Sequence, residues 1–267
     1  MSGATAPPIV RDARIDALRA LALAGILQVN IQSFVQGSGS SLGEFLQPPS
    51  WFDAAAYFVV SALFEYKFLP IFSLLFGVGF GLLYTKLQSG MPNPTAVLRR
   101  RFAFLFAFGI AHGCLFYFGD ITNVYAVLGW LLLIYARTEP QRLARSVLRW
   151  WLAAFALNVG LVALAEFVGS LSDPAAQTEA SSRLLEIFRL FTTGTFAQQL
   201  PLRIGEFLTM AEGTYLYGQW VAVFAWMLTG LLVQRSGWLD VDTHPRVARA
   251  AVWLGLGVGL PSALVYA

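Results

Sequence analysis

The chain has 267 residues, of which 57% are apolar and only 12% carry a charge, whereas soluble domains carry about 25% charged residues. Its mean hydropathy is +0.62, and its net charge of +3 is too small to suggest a nucleic-acid partner. Several apolar runs are long enough to cross about 30 Å of hydrocarbon, so we expect an integral membrane protein in contact with the lipid bilayer. The single cysteine, Cys114, excludes a disulfide framework and a Cys/His metal cluster, and we expect neither a metal nor a cofactor.

The apolar runs predict an all-α polytopic membrane bundle in one integral membrane domain, 1–267. The first run begins near Ala20 and has no small-residue cleavage site after it, so it is interpreted as a retained span and not as a secretory signal. The last run ends flush with Ala267, so we expect further helices in the full protein. About seven spans are predicted, at 20–35, 68–85, 102–118, 121–136, 150–168, 215–233 and 250–266.

The basic residues are distributed unevenly among the predicted loops. Fourteen of the eighteen lie in the N-terminal segment 1–19 or in the loops after the second, fourth and sixth spans. The loop 36–53 has no Lys or Arg, and the link between spans three and four carries only Asp120. Because Lys and Arg are enriched in cytoplasmic loops, we expect segment 1–19 in the cytoplasm and Asp120 on the opposite side.

Two shorter segments predict helices at the outer side of the membrane. Residues 51–66 are largely apolar, with Trp51 and Tyr57 as interfacial aromatic residues, and we expect a short helix that lies on the outer face or is partly inserted. Residues 181–191 place Leu184, Leu185, Phe188 and Phe191 on one helical face, which is typical of an amphipathic helix. This second helix lies in segment 169–212, which we expect on the outer, periplasmic side.

His112 is the strongest candidate for chemistry, because it lies inside the uncharged run 102–118. An ionisable group at membrane depth is costly and therefore suggests a function. In a continuous helix, Phe116 and Asp120 follow on the same side as His112. A carboxylate beside an imidazole suits a general base or a nucleophile. Alternatively, His112 only forms a hydrogen bond with a backbone carbonyl and thereby holds two helices together, and Asp120 only caps the next helix.

Five other polar residues are candidates for binding a substrate. Arg14 and Arg19 precede the first span, where they either set the topology or bind a phosphate. Asn30 belongs to a polar stripe within that span, which binds a ligand or holds helices together. Glu65 and Lys67 either pair locally or line a cavity. Glycine-rich runs at 77–81 and 255–259 lie in apolar helices, so they favour close helix packing and not nucleotide binding.

Four segments resemble signatures of the YeiB-like family of bacterial inner-membrane proteins. They are Arg14-Ile15-Asp16-Ala17-Leu18-Arg19 with Gly25 to Ile31, Lys67 to Gly77, Gly109-Ile110-Ala111-His112-Gly113 with Gly119-Asp120-Ile121, and Arg235-Ser236-Gly237-Trp238-Leu239. The resemblance covers nearly the whole chain and corresponds to the N-terminal two-thirds of the family's proteins. It implies a location in the bacterial inner membrane.

This family is distantly similar to transmembrane acyltransferases. That similarity implies transfer of an acyl group from a cytoplasmic donor, such as acyl-CoA, to a lipid, glycan or small-molecule acceptor. His112 and Asp120 would then be catalytic. Arg14 and Arg19 would lie near the donor phosphates. Two other functions remain open: a transporter or binding protein with a proton-linked His112–Asp120 site, and a membrane scaffold.

The charge pattern makes a direct prediction about topology. A reporter fused after Asp173 should report a periplasmic location, and one fused after Arg145 a cytoplasmic location, because basic loops stay inside. Paired alkaline phosphatase and green fluorescent protein fusions measure this. The reverse pattern would show that the assigned orientation is wrong.

Overall fold

The computed structural model describes residues 13–36, 50–169, 187, 189–216, 218–240 and 243–254. Within these ranges it contains helices and no strand, which confirms the predicted all-α class. We number the nine helices of the described ranges in chain order. They are α1 Ala13–Gln36, α2 Trp51–Leu63, α3 Phe68–Gly90, α4 Pro94–Leu115, α5 Thr122–Tyr135, α6 Pro140–Gly169, α7 Phe196–Leu216, α8 Gln219–Arg235 and α9 Pro245–Leu254.

The backbones of α3 and α8 touch at the centre of the fold. A Cβ atom added to Gly77 would lie 1.8 Å from the carbonyl oxygen of Met227. One added to Gly230 would lie 1.9 Å from the carbonyl oxygen of Leu74. The expectation that the glycine run at 77–81 allows close helix packing is therefore confirmed at Gly77.

Aromatic side chains fill the space between α3, α4 and α5. Phe80 stacks on Phe102 at a ring separation of 6.3 Å, and Phe76 meets Tyr125 edge to face at 5.3 Å. The Tyr125 hydroxyl is hydrogen-bonded to Ser73 Oγ at 2.6 Å, so the buried polar groups of this layer are paired. The core layer thus fixes α4 and α5 relative to the central helix α3.

Helices α4 and α5 form a tight hairpin. The Asn93 side chain accepts a hydrogen bond from Ala96 N–H at 3.1 Å, and Pro94 occupies the first turn, a common start for a helix. Gly109 faces the start of α5 so closely that a Cβ atom would lie 2.5 Å from Asn123 N. Helix α4 ends at Leu115, three residues before the predicted end of span three.

The predicted span six omits helix α7 and the bend between α7 and α8. The span was expected at 215–233, but α8 begins at Gln219. Gly218, at φ 69°, separates it from α7, and the two helices are bent by 67°. Glycine adopts this left-handed backbone without a steric penalty, which allows the sharp change of direction. Helix α7 was not predicted because Arg203, Glu206 and Pro201 interrupt its apolar pattern.

Within the described residues, two helical stretches are long and apolar enough to cross a membrane. They are Ala54–Gly90, which runs from α2 through the turn at 64–67 into α3, and Pro140–Phe167. The bent pair Phe196–Thr214 and Gln219–Arg235 gives a third if it counts as one span. Seven spans are therefore not confirmed. Helix α4 carries three arginines in its first half, and α5 has 14 residues, about 21 Å of rise against about 30 Å of hydrocarbon.

Helix α6 presents a long apolar surface. It begins at Pro140, ten residues before the predicted span. Its exposed side chains include Leu152, Phe155 and Val162. Contiguous exposed apolar surface of this kind is typical of a membrane or partner contact. The apolar helices are thus compatible with a membrane protein.

The two predicted surface helices have different outcomes. Helix α2 confirms a helix within 51–66, although it ends at Leu63 and a turn with Tyr66 at φ 55° follows. Most of the helix predicted at 181–191 lies outside the described residues, as do residues 1–12 and the part of span seven after Leu254. Ile187 and Phe191, which are described, are buried against Phe118 and Phe207.

The contact between α3 and α8 predicts a strong size limit at Gly230. We expect Gly230→Ala to destabilise the protein by about 3 kcal/mol or more, since overpacking costs about 1–3 kcal/mol even where side chains can move. The matched control is Gly160→Ala in α6, where a Cβ atom would meet nothing within 4 Å. Thermal unfolding in mild detergent measures both variants. Equal melting temperatures would contradict the proposed packing constraint.

Candidate functional site

His112 and Asp120 form a hydrogen-bonded pair. His112 Nδ1 lies 2.7 Å from Asp120 Oδ2. The Asp120 side chain is 8% exposed, whereas the His112 side chain is 35% exposed. The structure therefore places a half-buried imidazole against a buried carboxylate, and brings together the two residues that the sequence singled out.

Asp120 is held in place from its other side by the start of α5. Its Oδ1 accepts a hydrogen bond from Thr122 N–H at 2.6 Å, and its Oδ2 accepts one from the Thr122 hydroxyl at 3.0 Å. The carboxylate thus binds the first N–H of the helix, where a negative charge is favourable. The N-cap position of α5 is Ile121, which makes no side-chain cap bond, so Asp120 binds the helix start from the residue before the N-cap while it also contacts His112.

The carboxylate sets the protonation pattern of the His112 ring. An ionised carboxylate only accepts hydrogen bonds, so Nδ1 donates its hydrogen to Asp120. In the neutral imidazole the other nitrogen, Nε2, then carries the lone pair. This is the arrangement of a base whose tautomer is fixed by a neighbouring acid.

Two phenylalanines flank the His112 ring along α4. Phe108 and Phe116 lie at 5.8 and 5.7 Å from it between ring centres, with interplanar angles of 16° and 28°. Both side chains are themselves exposed. The rings therefore place apolar surface next to the imidazole.

Arg203 supports this site and was missed by the sequence analysis. Its guanidinium donates hydrogen bonds to the Phe116 carbonyl oxygen at 2.6 Å and to Gln199 Oε1 at 2.8 Å. It also lies 5.1 Å from the centre of the Phe191 ring. These contacts connect α7 to Phe116, which directly follows α4 and stacks on His112. No signal in the sequence indicated this role, because Arg203 is one of several charged residues in α7.

Arg19 lies in a cleft of about 850 Å³ between α1, α3 and α4. It forms an ion pair with Asp16 at 3.1 Å. It also lies against Gly79, where a Cβ atom would come within 2.3 Å of the guanidinium. Lys86 and Arg101 line the same cleft. Neither of these two residues was selected from the sequence, because each appeared only as a loop charge.

The other end of the cleft approaches the His112–Asp120 pair. Its lining includes Ile121 and Thr122, and Thr122 is hydrogen-bonded to Asp120. Leu239, from the fourth family-like segment, also contributes to the lining. The cleft therefore links a basic cluster to a residue in direct contact with the candidate catalytic carboxylate.

The remaining candidates lie on α1 and in the turn before α3. Glu65 and Lys67 lie in the turn before α3, where the Glu65 carboxylate accepts a hydrogen bond from Ser61 Oγ at 2.7 Å and the Lys67 ammonium donates one to the Ser61 carbonyl. Asn30 lies five residues beyond the contact of α1 with α3 at Gly25, and Arg14 is exposed near the start of α1. The described contacts do not join these residues into one site.

Comparison with known proteins finds relatives that cover most of the chain. Uncharacterized protein YeiB of Escherichia coli (strain K12) is 28% identical over 264 residues, covering 94% of this chain and 64% of that protein. Uncharacterized protein YxaH of Bacillus subtilis (strain 168) is 25% identical over 266 residues, covering 94% of this chain and 65% of that protein. These matches support a YeiB-like family. The chain spans slightly less than two thirds of both YeiB and YxaH.

A shorter match covers half of the chain. The uncharacterized 39.9 kDa protein in the amylase 3′ region of Bacillus acidopullulyticus is 36% identical over 137 residues, which is 50% of this chain and 37% of that protein. No protein-family model matches the chain, and no solved structure matches it. Similarity to acyltransferases is not among these findings.

The two members of the pair should differ in their effect on stability. Asp120→Ala removes the hydrogen bonds to His112 and to the N–H and hydroxyl groups of Thr122. We therefore expect the free energy of unfolding to fall by about 1–3 kcal/mol. His112→Ala removes one half-exposed ring and should cost less. Thermal unfolding of both variants in the same detergent compares them. A His112→Ala protein that is less stable than Asp120→Ala would show that the histidine mainly packs.

Proposed function

We propose that this chain is part of a multi-pass inner-membrane acyltransferase with a cytoplasmic N-terminus. In this proposal, an acyl group moves from a donor that enters on the cytoplasmic side to a membrane or periplasmic acceptor. The observation that carries the proposal is the 2.7 Å contact between His112 Nδ1 and the buried Asp120 carboxylate. It leaves Nε2 as a positioned base within an apolar segment.

In the proposed reaction, His112 carries a proton from the acceptor to the leaving group. Nε2 removes the proton of an acceptor hydroxyl as its oxygen forms a bond to the acyl carbonyl carbon. The bond between that carbon and the donor's sulfur then breaks, and the imidazolium returns the proton to the leaving thiolate. Asp120 stabilises the charged imidazolium and keeps the ring oriented.

We place the donor phosphates at the basic residues of the cleft, among them Arg101, and this sets a requirement on the length of the donor. Arg101 and His112 are eleven residues apart in this helix, about 17 Å along the axis. Eleven residues are close to three whole turns, so both residues lie on the same side of α4. A compact donor bound by the arginine would not reach the histidine, whereas an extended thioester arm of this length would.

Acyl transfer by the purified protein in liposomes tests the proposal. With radiolabelled palmitoyl-CoA and a bacterial lipid extract as acceptor, we expect His112→Ala to lose transfer by about 10²–10⁴-fold, the usual contribution of a general base. Asp120→Asn should lose part of the activity. The control is His244→Ala, whose ring contacts Thr243 in an exposed turn, and it should keep full activity.

The result is interpretable only beside a stability measurement. A melting temperature close to that of the natural sequence shows that His112→Ala is folded. Full transfer by this folded variant would contradict the assignment of His112 as the base. A protein that transfers nothing but shows pH-dependent solute flux, lost in His112→Ala, would favour the proton-linked transporter.

A further inference from the structure

We infer that the cleft between α1, α3 and α4 binds a phosphate-bearing amphiphile, with its anionic head at Arg19, Lys86 and Arg101 and its apolar chain directed toward Thr122. This inference rests on the proposed function, because it assigns the cleft to the acyl donor. It goes beyond that function by naming the anion subsite and the path of the chain. Neither Lys86 nor Arg101 follows from the family-like sequence segments.

The charges of the cleft lie toward one end of α3. Arg19 lies against Gly79, and Arg101 precedes Phe102, which stacks on Phe80, whereas Phe72 packs on Tyr125, three residues after Thr122. The charged side chains of its lining are Asp16, Arg19, Lys86 and Arg101, which leaves an excess of two positive charges. Lys86 and Arg101 are exposed, so their cationic groups are accessible to a ligand. The Arg19 guanidinium is paired with Asp16 and packs against Gly79. Because the side chain is already ordered, it loses less conformational entropy when it binds an anion.

The rest of the lining is apolar and aromatic. Phe72, Phe76 and Leu105 belong to this lining, and both phenylalanines pack on Tyr125, which lies three residues after Thr122. Leu105 lies four residues after Arg101 and seven before His112, so all three are on one side of α4. A volume of about 850 Å³ lies within the range of ligand sites, about 300–1,000 Å³. A basic mouth followed by an apolar path suits a charged head that carries a single chain.

A neighbouring cleft provides an internal control. Arg99 and Arg100 line a separate cleft of about 670 Å³, with Trp130 and Ile134. Arg100 and Arg101 are adjacent in sequence, both exposed, and both part of the same basic run. Replacing either one changes the net charge equally, but only Arg101 belongs to the proposed site.

Direct binding of radiolabelled palmitoyl-CoA and palmitoyl lysophosphatidic acid to the purified protein in nanodiscs tests the inference. We expect Arg101→Gln and Lys86→Gln each to weaken binding by about tenfold, the effect of losing one charge-assisted hydrogen bond. Arg100→Gln should stay within about twofold, as an exposed charge outside the site. An equal loss in Arg100→Gln and Arg101→Gln would overturn the inference, because general surface charge would then explain the binding.

A second variant tests the path of the chain. Leu105→Trp should weaken binding of palmitoyl-CoA by about tenfold, because the larger ring narrows the path between Arg101 and Thr122. Binding of adenosine 3′,5′-bisphosphate, which carries phosphates but neither the thioester arm nor the acyl chain, should stay unchanged. Palmitate, which lacks the phosphate, should bind at least about tenfold more weakly than palmitoyl-CoA. Equal affinity for palmitate, or no effect of Leu105→Trp, would overturn the inference.

The two labelled ligands also separate the sources of the phosphate. Binding of palmitoyl-CoA alone supports a soluble thioester as the ligand, and binding of the lysophospholipid alone supports a membrane lipid. Binding of neither overturns the inference. Charge-dependent binding without acyl transfer would leave the cleft assignment standing and the proposed function contradicted. Acyl transfer that is unaffected by Arg101→Gln would contradict the cleft assignment and leave the proposed function standing.

Discussion

The contact between the backbones of α3 and α8 at Gly77 and Gly230 is the constraint on which the rest of this fold depends. No side chain fits between these helices at that level, so their axes are held at the shortest distance that the backbone allows. The surrounding aromatic layer then fixes α4 and α5 against α3. A second close contact, at Gly109, brings α4 against the start of α5. It is this contact that brings His112 near Asp120.

The site combines a buried, firmly bound carboxylate with a partly exposed imidazole. Asp120 is buried and bound to both polar groups of Thr122, so the carboxylate cannot move far from the imidazole. His112 is more exposed and retains one ring nitrogen for another partner. A rigid acid that orients an accessible base is the general plan of proton-transfer sites. The same arrangement suits proton-linked transport. Measurements of acyl transfer and of solute flux in His112 variants therefore decide between the two functions.

Distance along the helix bundle connects the two parts of the proposed mechanism. Arg101, one of the basic residues of the cleft, and His112 lie about 17 Å apart along α4. The lining of the cleft also includes Thr122, which is hydrogen-bonded to Asp120. An extended amphiphile uses such a geometry, because its charged head and its reacting carbon are separated by a similar length.

The sequence by itself determined the all-α class and the membrane-like composition, because apolar runs favour helices. It also singled out His112 and Asp120, but on the expectation of one continuous helix. Helix α4 ends at Leu115, and the turn between α4 and α5 brings Asp120 to His112. Helix α7, the bend at Gly218 and the support from Arg203 required the tertiary structure, because charges and Pro201 obscured the apolar pattern. The cleft also required it. Lys86 and Arg101 lie on different helices, and no spacing in the sequence shows that Arg101 faces this cleft while Arg100 faces another. Only the packing of α1, α3 and α4 separates these two neighbouring charges.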